Sequence, residues 1–216
     1  MAAAPELVYF NIRGRAEPIR LLLEEVGVAY TDTHAEPQWA ELKRRTPFGV
    51  LPLYREGELE IAECQAILRH LARVHDLYGD DEPESARCDT FEEALVDAKR
   101  LVGMFPWRKE GEATDPEAFK ATELTALLER LERFLSGNPD APQYAVGRRL
   151  SFVDLLGFSF IDDTDGLFPG ALRGFVDLQA WHRSLAERPQ IARYLKSGRR
   201  AAGIQYGPHG LIHPRA

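Results

Sequence analysis

The chain has 216 residues, which is enough to bury a large core in one domain or in two smaller ones. Its formal charge of −7 argues against a nucleic-acid or anionic-membrane partner, because both favour a basic surface. The sequence predicts neither a membrane span nor a secretion signal. Its two cysteines, Cys64 and Cys88, form no C-x-x-C pair and predict a reducing, cytoplasmic environment. Only His209 and His213 have helical i,i+4 spacing, in a tail broken by Gly and Pro, so we expect no metal site.

The N-terminal stretch reads as a strand, a turn and a helix. Residues 7–12 are apolar, β-branched or aromatic and favour a strand. Gly14 permits a tight turn, and Pro18 fits the first turn of a helix, where an N–H would have no partner. Gly27 then marks the C-terminal end of this helix. We therefore predict that the protein opens with a βα unit.

The next elements alternate in type. The predicted bounds are 28–33 for a strand, 37–45 for a short polar helix, 51–54 and 59–61 for two strands, and 66–76 for a helix. Gly57 between the last two strands indicates a hairpin, and Pro52 places its strand at an edge or at a strand start. The pattern is βαβ followed by ββα.

From residue 77 the composition becomes polar and rich in turn residues, and no convincing strand follows. Helical spacing dominates over 91–102, 119–135, 152–161 and 178–185, and Pro189 opens a last short helix. Ser151 and Asp154 have the spacing of a capping box, which marks a helix start. We predict an α/β domain over residues 1–79 and an all-helical domain over 84–216.

Four motifs in register resemble the cytosolic glutathione transferases. They are residues 9–17 (Tyr-Phe-Asn-Ile-Arg-Gly-Arg-Ala-Glu), Leu51-Pro52, residues 63–71 and the cap at residues 151–154. The pattern is most similar to the tyrosine-type branch, and within it to the sigma or pi class. The resemblance implies a thioredoxin-like N-terminal domain, an all-α C-terminal domain and a cytoplasmic homodimer. It also implies conjugation of glutathione, as co-substrate, to hydrophobic electrophiles without a metal.

This chemistry requires a means of lowering the pKa of the glutathione thiol. A thiol with a pKa of about 8.5 is only a few per cent thiolate at pH 7, yet the thiolate is the nucleophile. Lowering that pKa by roughly two units needs about 2.7 kcal/mol of preferential stabilisation of the anion. A hydroxyl donor and local dipoles can supply this. We predict that Tyr9 is the catalytic hydroxyl donor, because the resemblance implies this role for the tyrosine at this position. Without the motif, Tyr9 would be interpreted as a tyrosine packed in a strand.

The resemblance also implies a set of glutathione-binding residues. They are Arg15, Trp39, Lys43, Val50, Leu51, Pro52, Glu63, Cys64 and, from the partner subunit, Asp97. Lys43 reads equally well as part of a solvated basic face. A cis bond before Pro52, as in the family, would turn the backbone of Leu51 towards the cysteinyl group, whereas a trans bond is the alternative.

Cys64 departs from the family pattern, which usually has Ser or Thr at this position. A thiol is a weaker donor than a hydroxyl, so we expect weaker glutathione binding. Because Cys64 stands at a predicted helix N-terminus, one hypothesis is a lowered pKa and redox sensitivity. The alternative is an inert buried thiol.

The subunit interface and the electrophile pocket complete the expectations. Phe48 is predicted to insert into a neighbouring subunit, with folding back onto its own domain as the alternative. The pocket is expected to be apolar and to lie between the domains. Its candidate residues are Phe10, Ile12, Arg13, Gly103, Met104, Trp107 and Tyr206.

Three functions stay open at this point. Glutathione conjugation is the leading one. A non-catalytic, crystallin-like relative with a blocked pocket is the second, and a glutathione-dependent isomerase or peroxidase of sigma type is the third. An omega-type thiol transferase is disfavoured because its cysteine would stand where Tyr9 stands.

Overall fold

The N-terminal half forms a four-stranded mixed sheet. The computed structural model describes residues 4–108, 115–139, 141–207 and 210–213. The strands are β1 (Glu6–Tyr9), β2 (Thr31–His34), β3 (Leu53–Glu56) and β4 (Leu59–Ala62). Their order is β2-β1-β3-β4, with β1 parallel to β2 and the other neighbours antiparallel. The predicted βαβ–ββα pattern is present.

Three helices accompany this sheet, with the bounds α1 (Glu17–Glu25), α2 (Trp39–Arg45) and α3 (Cys64–Val74). Helix α1 has Pro18 in its first turn and buries Ile19 and Leu21–Leu23. It packs against α3 and against helices of the second half of the chain. A short 3₁₀ turn, Glu36–Gln38, precedes α2, so this helix starts later than predicted.

Three predicted strands have shifted bounds. β3 covers Leu53–Glu56 instead of residues 51–54, and β1 and β2 are shifted because other contacts take their backbone groups. β1 ends at Tyr9 instead of residue 12, since the N–H groups of Arg13 and Gly14 donate to carbonyls of the C-terminal segment. β2 starts at Thr31 instead of residue 28, because the N–H of Val28 closes the end of α1 on the Leu23 carbonyl. Residues 10–16 therefore form a turn between β1 and α1, here called the β1–α1 turn.

The second half is mainly helical. Its helices are α4 (Glu82–Met104), α5 (Pro116–Phe119), α6 (Thr125–Ser136), α7 (Phe152–Leu167), α8 (Val176–Ala186) and α9 (Pro189–Leu195). A 3₁₀ turn, Phe105–Trp107, follows α4, and a π-helical turn, Lys120–Leu124, joins α5 to α6. Asp81 caps α4 by accepting a hydrogen bond from the Glu84 N–H. Helix α4 thus begins inside the polar, turn-rich stretch that follows residue 77, two residues before the predicted domain start at residue 84.

Helix α7 lies at the centre of the molecule and contacts α1, α4 and α8. Its capping box is formed as predicted by Ser151 and Asp154. The buried Asp154 carboxylate also accepts from the Ala145 N–H at 2.7 Å and from Trp181 Nε1 at 3.0 Å. The Asp154 carboxylate therefore connects the start of α7 to α8 and to the loop that precedes α7.

The expectation that no strand follows residue 77 is wrong. The strands β5 (Gln205–Gly207) and β6 (Gly210–Ile212) form an antiparallel hairpin. Each has three residues, too few for an alternating pattern to be visible in the sequence. Gln205 Nε2 anchors the hairpin to α4 by donating to the Gly103 carbonyl at 3.1 Å.

Across the described ranges, none of the helices combines the length and the apolar character that crossing a membrane requires.

We predict that Gly157→Ala destabilises the protein by roughly 2 kcal/mol, the usual cost of overpacking a core. A Cβ at Gly157 would lie 2.6 Å from the Trp181 ring, whose Nε1 is held by Asp154. The measurement is urea unfolding. Gly198→Ala is the control, because nothing lies within 4 Å of its Cβ position. Equal stability of the two variants would contradict this description of the core.

Candidate active site

A cavity of about 550 Å³ lies between the two halves of the chain. The β1–α1 turn and the start of α3 form one side, and α4, α7 and the C-terminal segment form the other. The lining is mostly apolar. It consists of Tyr9, Phe10, Ile12, Gly14, Arg15, Cys64, Gln65, Val96, Lys99, Arg100, Val102, Gly103, Met104, Leu156, Phe160, Asp163, Thr164, Leu167, Ile204 and Gln205.

Tyr9 reaches this cavity from the end of β1. Its side chain is largely buried, and its hydroxyl oxygen accepts a hydrogen bond from the backbone N–H of Arg15 at 3.0 Å. That bond occupies one lone pair of the oxygen and leaves the O–H free to donate elsewhere. The phenol is therefore held as a donor at the cavity wall.

Gly14 allows the turn to lie close to the phenol. Its backbone has a φ of +45°, and a Cβ there would come within 2.7 Å of the Tyr9 hydroxyl oxygen. Any side chain at this position would push the turn away from the ring. The requirement for glycine is thus steric as well as conformational.

Burial raises the pKa of Tyr9 above its usual value of 10, and the Arg15 N–H opposes this shift. The phenol is consequently protonated at neutral pH. A protonated phenol in an apolar cavity can stabilise an anion by hydrogen bonding, because the local environment contains little water to compete.

Two residues predicted to bind glutathione lie together at the cavity edge. The Arg15 guanidinium, which lines the cavity, is 3.9 Å from the Glu63 carboxylate. Both side chains are substantially exposed. Glu63 has a φ of +73°, a left-handed conformation that is uncommon for a residue other than glycine. Such strained residues concentrate at functional sites.

Cys64 is the first residue of α3 and lines the cavity, but only 2 % of it is exposed. Burial raises the pKa of its thiol to about 12, against the opposing charges of Lys99 and Arg15. The hypothesis of a lowered pKa is therefore wrong. At this position, loss of hydration outweighs the helix N-terminus and the nearby cations.

The remaining residues predicted to bind glutathione lie outside the cavity lining. Trp39 is half-buried, with its ring edge-on to Phe10 at a centroid distance of 5.3 Å. Lys43 is exposed on α2. Leu51 is buried, and the Leu51-Pro52 peptide bond is cis. Val50, before it, is half-buried.

Two residues with predicted intersubunit roles are exposed. Phe48 has 72 % of its surface exposed in the loop after α2, so it does not fold back onto its own domain. Asp97 is exposed on α4, next to the cavity-lining Val96.

The predicted electrophile pocket is only partly assembled as expected. Phe10, Ile12, Gly103 and Met104 line the cavity. Trp107 lies in the 3₁₀ turn after α4, is 46 % exposed and does not line the cavity. The side chain of Tyr206 falls outside the described residues.

Arg13 turns away from the cavity lining. Its guanidinium lies 3.4 Å from Asp162 and 3.3 Å from Asp163, and its Nε donates to the Ala201 carbonyl at 3.1 Å. The partners come from α7 and the C-terminal segment, so nothing in the local sequence of the β1–α1 turn indicated this orientation.

Sequence reasoning missed three charged residues of the cavity, Lys99, Arg100 and Asp163. A signal existed for Asp163, because adjacent acids at 162 and 163 interrupt an otherwise buried, apolar helix. Lys99 lies one helical turn before Gly103 on α4, and this spacing places both on the same face. Within the described ranges, no group of three or more His, Cys, Asp or Glu side chains could hold a metal ion.

Comparisons with known proteins identify the family. A family model for the glutathione S-transferase N-terminal domain matches residues 5–73, and one for the C-terminal domain matches residues 96–198. The chain is 37% identical over 191 residues to "Glutathione S-transferase P" of Caenorhabditis elegans, covering 88% of this chain and 91% of the relative. The chain belongs to the glutathione S-transferase family. The predicted family and fold are thereby confirmed.

Further relatives place this transferase near the pi class. It is 34% identical over 190 residues to a glutathione S-transferase of Dirofilaria immitis, covering 88% of this chain and 90% of the relative. The solved pi-class enzyme of Onchocerca volvulus superposes with a TM-score of 0.84 at 29% identity, covering 90% of this chain and 93% of that chain. Of the two classes that the motifs suggested, pi is the one these relatives support.

We predict that Cys64 of the folded transferase resists alkylation. With its pKa near 12, the thiol should react with iodoacetamide at pH 7.5 at least about a thousandfold more slowly than free cysteine, because the thiolate is the reactive form. Mass spectrometry of the intact protein, with and without urea, is the measurement.

In urea both cysteines should be modified, and the Cys64→Ser variant should then lose one adduct. Prompt modification of Cys64 in the folded protein, by iodoacetamide or by mild peroxide, would restore the redox hypothesis.

Proposed function

We propose that this glutathione S-transferase uses the Tyr9 hydroxyl to hold the glutathione sulfur as a thiolate and conjugates it to apolar electrophiles. The observation that carries the proposal is the Tyr9 phenol at the cavity wall, accepting from the Arg15 N–H at 3.0 Å. With its oxygen oriented by that bond, the O–H can donate to a sulfur anion in the cavity. The hydrogen bond favours thiolate over thiol and so lowers the thiol pKa.

Glutathione carries two carboxylates and an ammonium, and the cavity edge offers groups of both signs. Arg15 supports binding of a carboxylate, and Glu63 supports binding of the amino group. The N–H groups at the N-terminus of α3, at Cys64, can donate hydrogen bonds to a second carboxylate. We further propose that Trp39, Lys43 and the backbone at residues 50–52 hold the glycyl and cysteinyl parts, and that Asp97 approaches the neighbouring subunit's site.

The apolar half of the cavity is the proposed electrophile site. Phe10, Ile12 and Met104 come from the predicted set, and Leu156 and Phe160 add the face of α7. An open cavity of about 550 Å³ favours a catalyst over the alternative of a non-catalytic relative with a blocked pocket. An isomerase or peroxidase would use the same thiolate and is distinguished by substrate.

We also propose a homodimer and a cytoplasmic location. Phe48 supports the dimer, because an aromatic side chain that is 72 % exposed gains most from burial against a partner. The two cysteines are both free, which is consistent with a reducing compartment.

We predict that Tyr9→Phe slows glutathione conjugation to chlorodinitrobenzene about 20-fold at pH 7. If the hydroxyl lowers the thiol pKa by roughly two units, its loss reduces the thiolate fraction by that factor near neutrality and hardly at all above pH 9. The measurement is kcat against pH at saturating glutathione.

Tyr54→Phe is the matched control, because Tyr54 is also buried but bonds Glu56 on β3 and does not line the cavity. A Tyr9→Phe variant with wild-type rates at every pH would remove the assignment of Tyr9.

A separate prediction concerns the dimer. Phe48→Ser should reduce the mass in solution from twice 24.4 kDa to 24.4 kDa at micromolar concentration, since the inserted aromatic contact is lost. Light scattering after size-exclusion chromatography measures this. Val176→Ser, at an equally exposed apolar residue on α8, should leave the dimer intact. A wild-type monomer would contradict the interface.

A further inference from the structure

Lys99 is a cation of the cavity that has only neutral partners. It lies on α4, is half-buried and lines the cavity. Its ammonium nitrogen Nζ lies 3.5 Å from the Gly14 carbonyl oxygen and 3.4 Å from Ser159 Oγ on α7. Among the acidic residues that the structure describes, none forms an ion pair with it, and Asp163 of the cavity lining pairs with Arg13 instead. Because buried charges are normally paired, this ammonium has the capacity to bind an anion.

Gly14 lies between this ammonium and the Tyr9 hydroxyl. A Cβ on Gly14 would lie 2.7 Å from the hydroxyl oxygen, and the Gly14 carbonyl oxygen lies 3.5 Å from Lys99 Nζ. With standard bond lengths, the hydroxyl oxygen and Nζ are therefore at most about 10 Å apart. Both groups face a cavity in which a charge is screened less than in open water. The ammonium thus lies within Coulomb range of a sulfur anion that accepts a hydrogen bond from Tyr9.

The charge of Lys99 already acts on acidic groups around this cavity. Burial raises the pKa of Cys64 to about 12, and of the two cations that oppose this shift, Lys99 has a larger effect than Arg15. Burial also raises the pKa of Asp163, and Lys99 opposes that shift as well. The field of one ammonium on α4 therefore reaches acidic groups on both α3 and α7.

Glutathione can offer three anionic groups to this ammonium: its two carboxylates and, after ionisation, its sulfur. In the proposed function the carboxylates lie at the exposed edge of the cavity, with Arg15 and the N-terminus of α3. The sulfur lies at Tyr9. Lys99 approaches from α4, on the opposite side of the cavity, and contacts Gly14 next to the Tyr9 hydroxyl. The thiolate is therefore the anion for which Lys99 is best placed.

We propose that Lys99 is a second source of thiolate stabilisation, its positive charge favouring the anionic form of the glutathione sulfur in addition to the Tyr9 hydrogen bond. The inference rests on the proposed function, because it takes the sulfur held by Tyr9 as the anion. Lys99 exchanges no proton in this role. The S–H bond breaks, the electron pair stays on sulfur, and the proton passes to water.

The other charges leave most of this effect in place. Those that line the same cavity are Arg15, Arg100 and Asp163. Arg15 is 3.9 Å from the Glu63 carboxylate, so its charge is partly offset. Asp163 is paired with Arg13, and burial raises its pKa to about 7, so it carries only part of a negative charge at neutral pH. Two unit charges about 10 Å apart, at an effective dielectric constant of about 20, change a pKa by roughly one unit.

The test separates charge from contact by three substitutions at one position. Lys99→Arg keeps the charge, Lys99→Gln keeps a donor for the Gly14 carbonyl without the charge, and Lys99→Met keeps neither. The measurement is the pKa of the bound glutathione thiol, from the ultraviolet absorbance of the thiolate against pH, together with kcat for chlorodinitrobenzene against pH. Lys196→Met is the control, because it makes the same change at an exposed lysine that follows α9.

We expect Lys99→Gln and Lys99→Met to raise the pKa of the bound thiol by about one unit, because both remove the charge. If the wild-type pKa is roughly two units below that of free glutathione, kcat should fall about eightfold at pH 6 and hardly at all above pH 9. Lys99→Arg and Lys196→Met should keep the wild-type pKa. A structural role of Lys99 would not make the thiol pKa follow the charge at this position.

Two results would overturn the proposal. A pKa that is raised in Lys99→Met but unchanged in Lys99→Gln would show that the contact with the Gly14 carbonyl is what matters. An unchanged pKa in both variants, with a raised KM for glutathione, would assign Lys99 to a carboxylate instead. Failure of the proposed function is distinct, since it appears as a Tyr9→Phe variant with the wild-type chlorodinitrobenzene rate.

Discussion

The hydrogen bond from the Arg15 N–H to the Tyr9 hydroxyl is the contact on which the site depends. It exists only because the β1–α1 turn doubles back over the phenol, and the turn can do so only with glycine at position 14. From the other side, the N–H groups of Arg13 and Gly14 donate at 2.9 Å to carbonyls of Gly203 and Ile204. The turn is thus held from one side by the Tyr9 side chain and from the other by the backbone of residues 203–204.

Buried ion pairs add further contacts between the α/β domain and the helical domain. Glu17 on α1, with no exposed surface, accepts from Arg200 at 2.7 Å and from the Tyr194 hydroxyl at 3.1 Å. Arg200 also donates to Asp162 on α7 at 2.5 Å. Desolvation offsets much of the Coulomb energy of such pairs, so their main effect is to fix the positions of the elements that they join. They hold α1, α7 and the C-terminal segment in the arrangement that encloses the cavity.

Local motifs explain what the sequence could predict. The Ser151–Asp154 cap and the position of Tyr9 in the first strand were predictable because residues a few positions away specify them. The alternation of element types predicted the βαβ–ββα pattern, but not the order of the strands in the sheet. The orientation of Arg13 and the positions of Lys99 and Asp163 at the cavity were not, because their partners lie on distant elements. Cys64 shows a different limit: its place at a helix start was visible, but its burial, which decides the thiol pKa, was not.

The long-range hydrogen bonds of the β1–α1 turn also have a consequence for biosynthesis. Arg13 Nε bonds the Ala201 carbonyl across 188 residues of sequence, and the neighbouring backbone bonds span a similar separation. Domains generally fold as the chain leaves the ribosome, N-terminal part first. The sheet that carries Tyr9 is therefore made early, but its turn gains its last partners only when almost the whole chain has been synthesised. A nascent or C-terminally shortened chain therefore lacks the hydrogen bonds that hold the β1–α1 turn against residues 201–204.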